Sequence, residues 1–182
     1  MNSCKELFNA EEMAEAIRRI AAKIAGNMAG TAPDFALVGI QQMGVELAEK
    51  LQEALAEHGL APELGKLDIT MYRDDFGARD ILPMINETRI PFDVNDRVII
   101  LVDDVLSSGR TIRAALDALT DFGRPGLIRL AVLVDRGEPE FPIRADYVGL
   151  HAAPPADQKV VVRFEEDGEP GIYAVKWENH NL

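Results

Sequence analysis

The chain has 182 residues, 47% of them apolar and 27% charged, with a formal net charge of −12. That length can bury a core without cross-links, and a single cysteine, Cys4, excludes an intrachain disulfide and a cysteine-built zinc site. No apolar run nears the roughly 18 residues of a membrane span and the first residues lack a signal-peptide pattern, so one domain over 1–182 in the cytoplasm is expected; so acidic a chain must also gather its few bases on one face before it can hold a nucleic acid.

Asn9 followed by Glu12 has the form of a capping box, and Met13, Ile17, Ile20 and Ile24 then recur at helical spacing. This predicts an amphipathic helix ending near Gly26. Phe35 to Ile40 is a buried strand, followed by a short loop from Gly39 to Gly44. Leu47, Leu51 and Leu55, with Ala48 and Ala54, mark a second helix stopped by Gly59. Leu67 to Tyr72 alternates as a strand. The polar stretch from Arg73 to Asn95 carries Gly77, Pro83 and Pro91 and has no long period, which fits a long loop or small hairpin of the kind that serves as a flap.

Val98 to Val102 is a central strand, Thr111 to Phe122 its crossover helix, closed by Gly123, and Leu127 to Val134 the next strand. Shorter strands are expected at Asp146 to Leu150, Lys159 to Arg163 and Ile172 to Lys176. Strands alternating with helices of about 12 residues imply an α/β fold with a mostly parallel, doubly wound sheet. Right-handed crossovers then bring the loops after residues 40, 72, 102 and 134 to one rim.

The most specific signal is Ile99 to Thr111, I-I-L-V-D-D-V-L-S-S-G-R-T. Its apolar run is a buried strand, and Asp103 and Asp104 stand at the strand's carboxyl end, where open α/β sheets bind ligands. Ser107, Ser108, Gly109 and Thr111 offer hydroxyls and approachable amides at a helix N-terminus, a ready anion site. Any βα turn can carry Asp and Gly, but two adjacent acids directly after a buried strand are costly without a purpose. The glycine spacing fits neither a Walker loop nor a dinucleotide fingerprint.

This motif resembles the phosphoribosyl-pyrophosphate (PRPP) signature of the type I phosphoribosyltransferases. Further stretches are similar to one branch, the PyrR family of pyrimidine-operon attenuation regulators with uracil phosphoribosyltransferase activity. They are L-V-G-I before Gly44, D-I-T-M-Y-R-D-D at 68–75, I-P-F-D-V at 90–94, A-L-D-A-L-T-D-F-G-R-P at 115–125, A-V-L-V-D-R-G at 131–137 and P-I-R-A-D-Y-V-G at 142–149.

The resemblance implies a type I phosphoribosyltransferase fold with an inserted flexible hood at about 73–95, and a reaction in which uracil and PRPP give UMP and pyrophosphate. Asp103 and Asp104 would hold the ribose hydroxyls and steady positive charge at C1′, with Arg73 as an anion contact. Ser107, Ser108, Gly109, Arg110 and Thr111 would cradle the 5′-phosphate, with Val105 and Leu106 also among the substrate-binding residues. Gln42, Met43 and Gly44 would meet the pyrophosphate, Tyr72 would begin the hood, and Asp135 and Arg136 would border the base. Mg2+ would come with PRPP, near Asp103, and not on a ligand set of the protein's own. A homo-oligomer, dimer or higher, is implied as well, with Phe92, Phe122 and Phe141 as apolar residues that could serve it.

Two departures matter. The family's pyrophosphate loop carries Arg before the last Gly and often a further base upstream, whereas this chain has Gln41, Gln42 and Met43. A weaker grip on PRPP is expected. Members that bind leader RNA carry His-Arg after Asp-Arg-Gly and a base after Tyr-Val-Gly, where this chain has Glu138-Pro139 and Leu150-His151-Ala152. Arg18, Arg19, Lys23, Arg129 and Arg144 remain as a candidate RNA face, although the first three are equally the solvated side of a helix. With the acidic charge, this argues against specific RNA attenuation. Beside the enzyme stands a second reading, a regulator without catalysis that senses UMP or PRPP and binds leader RNA.

Overall fold

The structure, a computed structural model, describes residues 4–29, 35–73, 87–165 and 168–176. In chain order the elements are β1 (Cys4–Asn9), α1 (Ala10–Met28), β2 (Phe35–Ile40), α2 (Met43–Ala56), β3 (Glu63–Leu67), β4 (Val98–Leu106), α3 (Arg110–Thr120), β5 (Leu127–Asp135), β6 (Tyr147–His151), β7 (Gln158–Arg163) and β8 (Gly171–Lys176). Strands β3-β2-β4-β5-β6 form a five-stranded sheet, parallel throughout, with β4 at its centre. Strands β1-β8-β7 form a separate antiparallel sheet.

The capping box at α1 is complete. Asn9 Oδ1 accepts from the Glu12 amide at 3.0 Å, and the Asn9 amide donates to Glu12 Oε2 at 2.9 Å. From there Met13, Ile17, Ile20 and Ile24 turn inward against one face of the large sheet, together with Leu47, Leu51 and Leu55 of α2. The opposite face packs on Ile112, Ala115 and Leu119 of α3. Alternation along β4 serves both layers: Ile99 and Leu101 join the α3 side, Ile100 and Val102 the α1–α2 side. This two-faced burial explains why the strand reads as an unbroken apolar run.

Three expectations need correction. Strand β3 ends at Leu67, and Thr70 to Tyr72 is a single 3-10 turn rather than the end of a strand. Strand β4 continues past Val102 to Leu106, because β5 stays paired with it through Leu106↔Asp135. The C-terminal strands β7 and β8 stand outside the parallel sheet: they pair with each other, and β8 pairs also with β1, a strand whose mostly exposed residues give no apolar alternation to detect. Of the three phenylalanines singled out, Phe122 is exposed, whereas Phe92 lies under Arg97 and Phe141 under Arg110. Most of the expected hood lies outside the described residues. At its base the chain is tied by a Lys66–Arg89 bridge, and the Asp68 amide donates to Thr88 Oγ1 at 2.9 Å.

Candidate active site

Because the large sheet is parallel, the carboxyl ends of β2, β3, β4 and β5 share one rim. Strand β2 accompanies β4 only as far as Gly39↔Val102. Beyond it the chain turns through Gln41 and Gln42 into α2 and lays Gly44 directly on β4. A Cβ at Gly44 would lie 2.5 Å from the Val102 carbonyl oxygen and 3.3 Å from Asp103 Oδ1. One at Gly39 would lie 2.6 Å from the Val45 Cα. Only glycines allow this loop to touch the acid-bearing strand backbone to backbone.

Asp103 is 6% exposed and Asp104 half-buried, and the Asp104 amide donates to Asp103 Oδ1 at 3.1 Å. Burial, and after it the charge of Asp104, push the Asp103 carboxyl well above its usual range, while the Arg73 guanidinium pulls the other way. Burial raises Asp104 too, against the Val105 amide and the Asp103 side chain, which favour its charged form. Two carboxyls held this way form a site short of positive charge. Among the described residues no group of three or more His, Cys, Asp or Glu could hold a metal.

The turn after β4 is built for an anion. Gly109 caps α3 in the left-handed region, at φ 90°, a conformation that glycine adopts without strain. The Ser108 carbonyl is turned outward, accepting from the amides of Glu140 and Phe141 at 2.9 and 3.1 Å. Within the described residues the amides of Ser107, Ser108, Gly109 and Thr111 donate to no protein acceptor, at the positive end of α3. The turn thus offers its donors, while the Ser108 and Gly109 carbonyls already accept from protein amides.

Not every residue singled out from the sequence meets this space. Leu106 is buried in the core, and its carbonyl accepts from the Arg136 amide at 2.9 Å, so it is framework. Arg110 is engaged by protein, its guanidinium 2.8 Å from Glu140 Oε2. The Tyr72 hydroxyl donates to Asp121, at the far end of α3 from the turn, about 16 Å along an 11-residue helix. Met43 packs on the apolar core, and Gln42 is exposed. Asp135 Oδ1 accepts from the Gly137 amide at 2.8 Å. Arg136 is buried, a placement the sequence did not suggest. The candidate RNA residues are largely engaged: Arg18 pairs with Glu15 at 2.9 Å, Arg19 donates to the Gly149 carbonyl, and Arg129 pairs with Asp146. Lys23 and Arg144 are exposed.

Paired acids at a strand end and a turn with open amides stand together at one rim of the sheet. Residues 3–168 match the phosphoribosyl transferase domain family, so the protein is a phosphoribosyltransferase. The crystal structure of the hypoxanthine phosphoribosyltransferase of Trypanosoma cruzi superposes with a TM-score of 0.72 at 20% identity, covering 94% of this chain and 95% of that one. A hypoxanthine-guanine phosphoribosyltransferase from Bacillus anthracis gives 0.68 at 18%, covering 94% and 97%. At such identities these speak for the fold alone.

Sequence relatives narrow the class. The Bifunctional protein PyrR of Roseiflexus sp. is 49% identical over 94% of this chain and 95% of its own length. That of Thermus aquaticus is 52% identical over 92% and 93%. The chain belongs to the PyrR family. No helix among the described residues is long and apolar enough to cross a membrane.

Proposed function

We propose that this protein transfers ribose 5-phosphate from Mg2+-bearing PRPP to uracil, releasing UMP and pyrophosphate. The observation that carries the reading is the pairing, on one strand end, of two acids with a turn whose amides are unspent. A sugar with a terminal phosphate spans those two features. The metal belongs to the substrate: the diphosphate supplies its ligands, and the acid pair can complete them.

In this reading the amides of Ser107, Ser108, Gly109 and Thr111 hold the 5′-phosphate, and Asp103 and Asp104 take the ribose hydroxyls. The C1′–oxygen bond to pyrophosphate breaks as the bond from C1′ to the ring nitrogen of uracil forms, and that nitrogen gives up its proton. Positive charge that builds on the ribose during the exchange favours the charged form of the acid pair already in place, and the pair in turn stabilises that charge. No protein nucleophile is needed; alignment of the two substrates and removal of water supply the rest. In this reading Arg73, whose charge reaches Asp103, meets the diphosphate.

Base recognition falls to β7. It lies at the border of the small sheet, paired on one side with β8, and packs against β4. An edge strand presents unpaired backbone N–H and C=O groups, which complement the alternating donors and acceptors of a uracil edge. Steady-state turnover with radiolabelled uracil and PRPP·Mg tests the function. UMP formation with uracil preferred over hypoxanthine is expected. Stabilisation by UMP without any turnover would favour the sensing regulator.

The regulatory half of the family's double role meets an unfavourable surface here. Arg18 and Arg19 line two hollows, one with Glu11, Glu12 and Glu15 and the other with Glu15 and Glu57. In filter binding at about 150 mM salt, pyrimidine-operon leader RNA is expected to bind no better than the roughly micromolar non-specific range. Tight, UMP-enhanced binding would contradict this.

A further inference from the structure

Arg136 follows the last residue of β5, and only 6% of its side chain is exposed. Its guanidinium spans two segments: Nη2 lies 3.0 Å from Glu138 Oε2, and Nη1 donates to the Gln158 carbonyl at 3.3 Å. The Arg136 amide donates to the Leu106 carbonyl, which fixes the residue to the end of β4. Nε is buried with no hydrogen-bond partner. One arginine therefore joins the rim of the parallel sheet to the first residue of β7, in the other sheet.

This is a poor way to stabilise a fold. A guanidinium removed from water gains back its desolvation only with good geometry and every donor satisfied. Here one donor is orphaned, one bond is long, and the paired Glu138 is half in solvent. An apolar side chain of similar length would fill the same space at less cost. What an apolar side chain could not do is hold the Gln158 carbonyl.

That carbonyl lies on the edge of β7 that β8 leaves unpaired. Residues two apart on an antiparallel strand turn their backbone groups the same way, so the N–H and C=O of Val160 share the edge that Arg136 grips at Gln158. Among the described residues its backbone is otherwise paired on one side only, with β8. A shift of its first residues would move both groups relative to the acid pair and the phosphate turn.

We propose that Arg136 is a positioning residue for base recognition: it clamps the β7 edge at Gln158 so that the neighbouring backbone groups meet the uracil ring, and it does so at the expense of stability. The inference rests on the reading of β7 as the base-recognising edge. It assigns Arg136 an action through the strand, not contact with the reacting atoms.

The test compares the wild-type protein with Arg136→Met and Arg136→Lys, using UMP and ribose 5-phosphate as probes in calorimetric titration, with thermal melting alongside. Wild type is expected to bind UMP more tightly than ribose 5-phosphate. Arg136→Met is expected to weaken UMP about tenfold, the worth of a hydrogen bond or two, with ribose 5-phosphate within about twofold and the melting temperature equal or higher. Arg136→Lys, which keeps the charge and loses the fork, should fall between. Equal loss of both ligands, or a variant that melts early or does not fold, assigns Arg136 to the framework and overturns the proposal. UMP binding unchanged in Arg136→Met overturns it as well. A wild type that binds the two probes equally instead removes the base-reading role of β7, and the inference falls with it.

Discussion

Asp103→Asn is expected to make the ligand-free protein more stable and the enzyme far slower. The buried Asp103 carboxyl resists ionisation, first through burial and then through the charge of Asp104. Its folded pKa is raised, so the unfolded chain releases this proton near the ordinary aspartate value of about 3.9 while the native state retains it. Between about pH 4 and the raised folded value the native state binds more protons, and stability falls as pH rises. An amide at this position removes that penalty. The gain, on the order of 1–3 kcal/mol for a buried charge relieved, corresponds to several degrees in melting temperature for a chain of this size. It should be larger at pH 8 than at pH 4. The same change removes a carboxylate from a transition state that needs one, and kcat is expected to drop on the order of 10²–10³-fold. Melting curves across pH beside steady-state kinetics give both numbers. A variant that is less stable at neutral pH, or that turns over normally, would show that Asp103 is packing and not machinery.

Met43→Arg should have the second largest effect, in the opposite direction. The loop from Gln41 to Gly44 is pressed onto β4 by its glycines, which places it beside the acid pair, yet it brings no cation of its own. A diphosphate approaching two carboxyls meets repulsion, and among the described residues the charge of Arg73 is what offsets it at Asp103. Charge-assisted hydrogen bonds contribute about 1.5–3 kcal/mol each, so an added guanidinium is expected to lower the PRPP KM by roughly 10-fold or more. The stem of an arginine can cover the apolar patch on which Met43 now packs and still bring its head to solvent. Gln42→Lys, at an exposed position, should shift the PRPP KM the same way with less disturbance of packing. An unchanged PRPP KM in both variants would mean that this loop does not meet the diphosphate.

The parts of this fold visible from sequence are those in which local chemistry and burial agree. The Asn9–Glu12 box starts α1 at its observed residue, and Phe35 to Ile40, buried at every position, coincides with β2. The acid pair and the glycine turn were legible for the same reason: small residues and carboxylates after an apolar strand have few other uses. Less was visible where partners in space decide. Leu67 to Tyr72 alternates like a strand, but Asp68 Oδ1 captures the Thr70 amide at 2.7 Å and the chain turns instead. Asp-Gly between the runs that become β7 and β8 is a hairpin signal, yet nothing local assigns that hairpin to a second sheet with β1. Tyr72 carries no mark that would aim it at Asp121 rather than at substrate. Arg136 looks like an exposed turn residue beside Gly137. Its burial depends on β7, which arrives from a distant part of the chain.

A crystal structure with UMP tests the central claim most directly. The phosphate is expected within hydrogen-bond distance, about 3 Å, of the amides of Ser107 to Thr111, and the ribose hydroxyls at the same range from Asp103 and Asp104. UMP seated elsewhere, with that turn still empty of phosphate and the acids facing only protein, would contradict the account.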